Sequence, residues 1–350
     1  MPDIPEYSRA PEAQLRVGLI GNPVAHSYSP RFQQAALDAL GISAVYELWQ
    51  TAPEELPRRI ASLLDEHCLG ANVTIPYKEA VLPLLDTVDP LARCIGAVNT
   101  IVHQDGYLHG YNTDAPGLLY TLAEQSIGEL QAGGITGRLQ ESPLLSLSGY
   151  TVVLLGAGGA ARSAAFSVAG AHVTRLIIVN RHLERAQRLA GEVQQSSSCQ
   201  VFSLSDPNFL IPHPKSIIIN ATPVGMQAAH KQAEIEEQEE ASPLPVDVLA
   251  RFAPDTFVLD LVYNPIQTRL LVQARMLGLR AVNGLPMLLH QNAHQQPLDL
   301  LPAAISMLLP GQCGAGWIAT QETRGQRRGG QVFLKRLMAK TEEARPCYVQ

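Results

Sequence analysis

Two sets of residues in this 350-residue chain have types and spacings that could do chemistry. The first is Gly156-Ala157-Gly158-Gly159-Ala160-Ala161, which fits G-x-G-x-x-A. Gly156 permits a sharp turn, Gly158 lets backbone approach a pyrophosphate, and Ala161 stays small where helix meets strand. The first N–H groups of the helix that follows would face the phosphates. A glycine cluster alone can be a simple tight turn. This one directly follows the apolar run Thr151–Leu155 and opens a small-residue helix, the context a dinucleotide site requires. At the end of the next strand an NAD-selecting fold usually carries Asp or Glu, whereas this chain has Asn180-Arg181-His182-Leu183-Glu184-Arg185. Two guanidiniums suit a 2′-phosphate dianion that a carboxylate would repel. Arg185 has the alternative of pairing with Glu184 or Glu192, so Arg181 carries the preference for NADP over NAD.

The second set is polar and lies in the first third of the chain. Ser27 and Ser29 can satisfy a carboxylate without burying a cation, though Ser29 before Pro30 also has the form of a helix cap. Lys78 falls just beyond the predicted strand Ala71–Ile75, where α/β sheets place their sites. Taken singly, Lys78 reads as a solvated lysine and Asp114, before Ala115-Pro116-Gly117, as a cap. Competing chemistries leave no trace: there is no Tyr-x-x-x-Lys, and no Cys/His cluster with zinc spacing. His26, beside the serines, reads as an exposed or supporting imidazole rather than a base.

The elements that must position these groups alternate. Val17–Gly21 reads as a strand, Ser29 to Gly41 as a helix, and Ala44–Leu48 as a strand. A helix over Pro53–Glu66, strand Ala71–Ile75, an apolar helix near Ala80–Leu85 and an extended run Gly96–Val102 follow. The register restarts at Thr151–Leu155, with a helix to Gly170, strand Leu176–Val179, a helix Leu183–Val193, and strands Ser216–Ile219 and Phe257–Asp260. The expected fold class is α/β: an N-terminal α/β domain with a mixed, mostly parallel sheet, followed by a Rossmann-type nucleotide-binding domain. Two polar stretches, 131–148 and 228–245, read as surface excursions, and the basic tail beyond Pro310 as a solvated extension.

Composition bounds the function. Apolar residues are 46% and charged residues 17%, enough for large cores and against wholesale disorder. The net charge of -6 argues against a generally basic nucleic-acid surface. The five cysteines are scattered and never form C-x-x-C, which argues against a disulfide framework. No apolar run approaches a membrane span, and the first sixteen residues lack a signal-peptide core. The expectation is a soluble cytoplasmic protein with a small-molecule ligand, no membrane or nucleic-acid partner and no metal. Whether it forms a homodimer stays open.

Read together and in order, Asn22-Pro-Val-Ala-His-Ser-Tyr-Ser-Pro30, Asn72-Val-Thr-Ile-Pro-Tyr-Lys78, Gly96-Ala-Val-Asn-Thr100 and Gly110-Tyr-Asn-Thr-Asp114 closely resemble shikimate dehydrogenases. The glycine turn, Asn180-Arg181, Asn220-Ala-Thr222, Asp260-Leu-Val-Tyr-Asn-Pro265 and Gly284-Leu-Pro-Met-Leu-Leu-His-Gln291 extend the resemblance over about residues 16–293. It implies reversible NADPH-linked reduction of 3-dehydroshikimate to shikimate, on the route to chorismate and the aromatic amino acids. It also implies a substrate domain made of 1–113 with 284–350, including an extra tail at 311–350, a Rossmann-type NADP-binding domain at 114–283, and a site in the cleft between them. By motif match Lys78 and Asp114 are the catalytic pair. Ser27 and Ser29 hold the substrate carboxylate with Tyr263 beside them, and Thr74, Asn99 and Gln291 surround the ring hydroxyls. Gly156, Ala157, Gly158, Gly159, Ala160, Asn180, Arg181, Arg185 and Thr222 fall to the cofactor, with Gly284 lining the cleft. The chain departs from the family at His182, where a hydroxyl is usual, and after Gln291, where an aromatic continuation is usual. A quinate/shikimate dehydrogenase using NAD or NADP, and a non-catalytic ligand sensor of the same fold, are the alternatives.

Overall fold

The structure is a computed structural model that describes residues 14–25, 27–130, 145–193, 198–203, 215–226 and 241–293. His26, most of both polar excursions and the basic tail lie outside the described residues.

The N-terminal half is built on a mixed sheet of β1 (Leu15–Gly21), β2 (Ala44–Gln50), β3 (Cys68–Val73), β4 (Thr87–Val88), β5 (Thr100–Gln104) and β6 (Tyr107–Tyr111), in the order β2-β1-β3-β5-β6-β4. β1 pairs parallel with β2 and β3, while β3–β5 and β5–β6 are antiparallel. The short connection between β5 and β6 forces that last pairing, because only antiparallel strands can be joined by a tight hairpin. α1 (Ser29–Ala39) buries Phe32, Ala36 and Leu37, and Leu37 joins Leu19 and Tyr46 in one apolar cluster. The core on the other face gathers Ile20, Trp49, Ile60, Leu63, Val73 and Ile101.

Three local expectations needed correction. The stretch Pro53–Glu66 is not one helix: 3-10 turns at Pro53–Glu55 and Ser62–Leu64 flank a six-residue α2 (Leu56–Ala61). Pro57 has no N–H for the Pro53 carbonyl, so α-helical bonding starts late. Near Ala80–Leu85 only a 3-10 turn, Leu82–Leu84, forms, again around a proline, Pro83. The third strand runs Cys68–Val73 rather than to Ile75, since Pro76 gives the ladder no donor. A helix that periodicity did not reveal, α3 (Pro90–Ile95), starts on the Asp89 side chain and ends at left-handed Gly96.

The second half is an all-parallel sheet of β9 (Thr151–Leu155), β10 (Arg175–Asn180), β11 (Ser198–Ser203), β12 (Ser216–Asn220), β13 (Phe257–Asp260) and β14 (Arg280–Val282), ordered β11-β10-β9-β12-β13-β14. That is the doubly wound order, with its switch point between β9 and β12. β9 and β12 are buried at every position, as expected of strands covered on both faces. Earlier in the chain, β7 (Glu129–Leu130) and β8 (Leu145–Ser146) form a two-stranded antiparallel ribbon. Helices α5 (Gly159–Gly170), α6 (Leu183–Val193), α7 (Val246–Leu249) and α8 (Arg269–Met276) accompany the large sheet.

Two helices join the halves. α4 (Asp114–Glu124) packs against both α5 and α9 (Leu285–Ala293). The α4–α9 approach is close: a Cβ on Gly117 would stand 3.1 Å from the Gln291 nitrogen and 3.2 Å from the Met287 oxygen.

Candidate active site

Two cavities meet where the C-terminal ends of both sheets converge, and Lys78, Ala160 and Thr222 line both. This is the crevice in which open α/β sheets hold ligands.

The first cavity is lined by Ser27, Ser29, Thr74, Asn99, Asp114, Tyr263, Gly284 and Gln291, so every residue assigned to the substrate lies on it. At its centre Lys78 Nζ donates to Asp114 Oδ2 at 2.6 Å. Asp114 is the first residue of α4 and is 1% exposed, against 13% for Lys78. Its other oxygen, Oδ1, accepts from Asn99 Nδ2 at 2.8 Å and Gln291 Nε2 at 2.7 Å. A buried carboxylate with an ammonium and two amide donors is satisfied as an anion. Asp114 does not cap its helix. Asn112 takes that place, with Oδ1 accepting from Ala115 N at 3.1 Å, and this leaves the Asp114 carboxylate to the cavity.

Asn99 holds more than the sequence suggested. Its Nδ2 donates to Thr113 Oγ1 as well as to Asp114, and its Oδ1 accepts from Thr113 N and Thr100 Oγ1. With both amide hydrogens engaged, it acts on the cavity through the carboxylate it orients. Ser29 is likewise not the cap its position before Pro30 suggested. α1 begins at Ser29 without a side-chain cap, and Ser27 Oγ accepts from Ser29 N at 3.1 Å while donating to Ser29 Oγ at 3.0 Å. The turn holds both hydroxyls at one place. Tyr263 stands beside them against the Tyr28 ring; burial raises its phenol pKa, and a hydrogen bond with Ser27 partly offsets this. Thr74 fits against the strand end because Gly21 has no side chain: a Cβ there would lie 2.4 Å from Thr74 Cγ2.

The second cavity is lined by Gly156, Ala157, Gly158, Gly159, Ala160, Asn180, Arg181, His182, Arg185 and Thr222. Gly156 has φ +112, with Ala221 backbone 3.1 Å from any added Cβ, so the turn itself demands glycine there. Gly158 differs: a Cβ on it would meet open space. It is the N-cap of α5, and no side chain caps that helix. Uncapped helical N–H groups beside an open approach are what a dinucleotide pyrophosphate requires. Asn180 Nδ2 donates to the His182 carbonyl at 2.8 Å, which shapes the rim. Arg185 stands 3.9 Å from Glu79 rather than beside Glu184 or Glu192, and Arg181 has no carboxylate partner among the described residues. Glu192 is taken by Arg162, whose Nε also donates to the Ile95 carbonyl at 2.6 Å. No group able to hold a metal ion occurs among the described residues.

A buried network beneath Thr222 was given no role from the sequence, although its residues lie in the Asn220-Ala-Thr222 and Asp260 motifs. Asn220 Oδ1 accepts from Thr222 N and Oγ1, and Asn220 Nδ2 donates to Asp260 Oδ1 at 2.8 Å. Thr268 Oγ1 donates to Asp260 Oδ2 at 2.6 Å. Burial pushes the Asp260 carboxyl up to about 6, with the hydrogen bonds from Thr268, Val262 and Asn220 opposing it. A folded-state pKa above the unfolded one means the native state binds this proton more tightly. The contribution is therefore present below the unfolded pKa and lost as pH rises through about 6. Asp260→Asn imitates the protonated form. Its melting temperature relative to wild type should rise between pH 4 and pH 7, and a pH-independent difference would contradict the raised carboxyl.

Comparison with known proteins follows the same division. Residues 19–101 match the family model described as the shikimate dehydrogenase substrate binding domain, and residues 138–248 match shikimate / quinate 5-dehydrogenase. The chain is 38% identical over 317 residues to the shikimate dehydrogenase (NADP(+)) of Symbiobacterium thermophilum, covering 87% of this chain and 97% of that protein. It is 40% identical over 280 residues to that of Moorella thermoacetica, covering 79% and 85%. The crystal structure of shikimate 5-dehydrogenase from Thermus thermophilus in complex with NADP(H) and shikimate superposes with a TM-score of 0.64 at 35% identity, covering 84% of this chain and all of that one.

Proposed function

The chain belongs to the shikimate dehydrogenase family, and from that premise we propose that it catalyses the reversible reduction of 3-dehydroshikimate to shikimate with NADPH, in chorismate and aromatic amino acid biosynthesis. The observation that carries this reading is the Lys78–Asp114 contact of 2.6 Å at the junction of the two cavities.

The nucleotide would be held by the α5 N-terminus and the Gly156–Ala160 turn, with Arg181, Arg185 and His182 available to its 2′-phosphate. Bound there, it supplies the hydride. Lys78 and Asp114 handle the proton. As hydride reaches the ketone carbon, the carbonyl electron pair moves to oxygen, and Lys78 Nζ gives that oxygen a proton. Asp114 keeps Nζ aimed at that oxygen beforehand. Lys78 then regains a proton from solvent, to which it is partly open. Ser27 and Ser29 donate to the substrate carboxylate with Tyr263 beside them, while Thr74 and Gln291 face the ring hydroxyls and Asn99 acts through Asp114. Short polar groups on a rigid wall suit a small polyhydroxylated acid. A reducing, cytoplasmic setting fits the free thiols of Cys68, Cys94 and Cys199.

The test is absorbance of the reduced nicotinamide with shikimate or quinate and each oxidised cofactor. Shikimate with NADP should turn over fastest. Faster turnover of quinate would replace the assignment with the broader dehydrogenase, and binding of shikimate without turnover would replace it with a sensor. Within that assay Arg181→Ala should raise the KM for NADP roughly 10- to 100-fold, the worth of a charge-assisted hydrogen bond, and leave the KM for NAD nearly unchanged. Equal effects on both would remove the 2′-phosphate role.

A further inference from the structure

The phosphate turn carries two adjacent glycines, and only one of them owes its lack of a side chain to the open cleft. Gly158 faces open space. Gly159 does not: a Cβ there would stand 2.8 Å from Lys78 Cβ, 3.2 Å from Cδ and 3.5 Å from Cγ. Gly159 is the first residue of α5, and its φ lies outside the left-handed range. Alanine is the better helix former. Backbone conformation thus gives no reason for glycine, whereas the lysine stem does.

We infer that Gly159 is a positioning residue for Lys78: the turn that receives the nucleotide is also the wall along which the lysine reaches Asp114. This rests on the dehydrogenase reading of the site. The lysine cannot give way easily, because both its ends are tethered. Its carbonyl accepts from Val98 N at 2.7 Å, and its Nζ is held by Asp114 at 2.6 Å. Nor can α5 retreat. Arg162 Nε donates to the Ile95 carbonyl, Ser163 Oγ accepts from Asn112 Nδ2 at 3.0 Å, and Ser167 Oγ donates to the Ala115 carbonyl at 3.2 Å. The last two bonds tie the helix to the segment that carries Asp114, and the first ties it to α3. An added methyl must therefore push Lys78 Cβ aside, and the side chain that swings with it draws Nζ off Asp114.

The experiment compares Gly159→Ala with wild type in kcat, and in NADPH dissociation constant by quenching or enhancement of nicotinamide fluorescence. The expected result is a kcat lowered roughly 10- to 100-fold, as for a reacting group moved by about 1 Å, with NADPH affinity changed less than about threefold. In a Lys78→Met background, Gly159→Ala should add little further loss of turnover, because the group it displaces is already gone. Unchanged kcat, or a loss matched by weaker NADPH binding, overturns the assignment. Should Gly159→Ala not fold, Lys78→Gly removes the colliding Cβ. The double variant should then fold and bind NADPH as Lys78→Gly alone does; if it fails to fold, the inference fails too. Absence of shikimate oxidation by the wild type would instead sink the functional reading, so the two failures are distinguishable.

Discussion

Lys78→Met should lower turnover by about 10²- to 10⁴-fold in both directions, the range for removing a positioned proton donor. Methionine keeps an unbranched stem against Gly159 and removes the ammonium, so the loss reports on the proton rather than on packing. The fold should tolerate it. Asp114 retains its hydrogen bonds from Asn99 and Gln291, so its buried oxygens keep donors once the ammonium is gone. Dissociation constants for shikimate and NADPH should therefore change only a few-fold. Stopped-flow turnover beside equilibrium binding separates the two quantities; turnover within a few-fold of wild type would falsify the donor role of Lys78.

The parts of this site that were legible in the sequence are those where one residue type has one local reason. The glycine turn after β9 is such a case, since strand, turn and helix are continuous in the chain and their order alone places the uncapped helix start at the second cavity. The six substrate-side residues are read as a set, through the order of their motifs rather than through any one of them, and they line one cavity. Alone, Asp114 and Ser29 read as helix caps, whereas in the structure neither caps its helix, and Asn112 and Ser27 accept from the Ala115 and Ser29 N–H groups. Either assignment satisfies a helix start, and the choice depends on tertiary partners that local sequence does not contain. The same holds for Asn99: nothing in Gly96-Ala-Val-Asn-Thr100 says that its amide is taken up by a helix start fourteen residues on. Helix length was the weakest reading. Pro57 and Pro83 interrupt runs whose apolar spacing looked helical, because periodicity registers side chains and not missing N–H donors. The Asn220–Asp260–Thr268 network was hidden for a related reason, as its members meet across strand ends that are adjacent only in the folded sheet.

Asp114→Ala should combine a loss of turnover like that of Lys78→Met with a loss of stability of about 3–5 kcal/mol, the usual cost of removing one partner from a buried ion pair. The asymmetry between the two variants follows from what each leaves behind. Without Lys78, the carboxylate keeps two hydrogen-bond donors. Without Asp114, the Lys78 ammonium and the amide hydrogens of Asn99 and Gln291 converge on a space that contains no acceptor. The consequence spreads, because Gln291 is the link from α9 to the start of α4 and Asn99 the link from the β5 side. Asp114→Asn should fall between them in stability. Its oxygen can accept from Asn99 and Gln291, but its Nδ2 then faces Nζ, donor against donor, so the lysine head must turn away and turnover should be as low as in Asp114→Ala. Urea midpoints and kcat measured on all three variants test the ordering. If Asp114→Ala unfolds at the wild-type midpoint, the carboxylate is not the buried centre on which Lys78, Asn99 and Gln291 converge, and the proton-handling role assigned to the pair loses its structural basis.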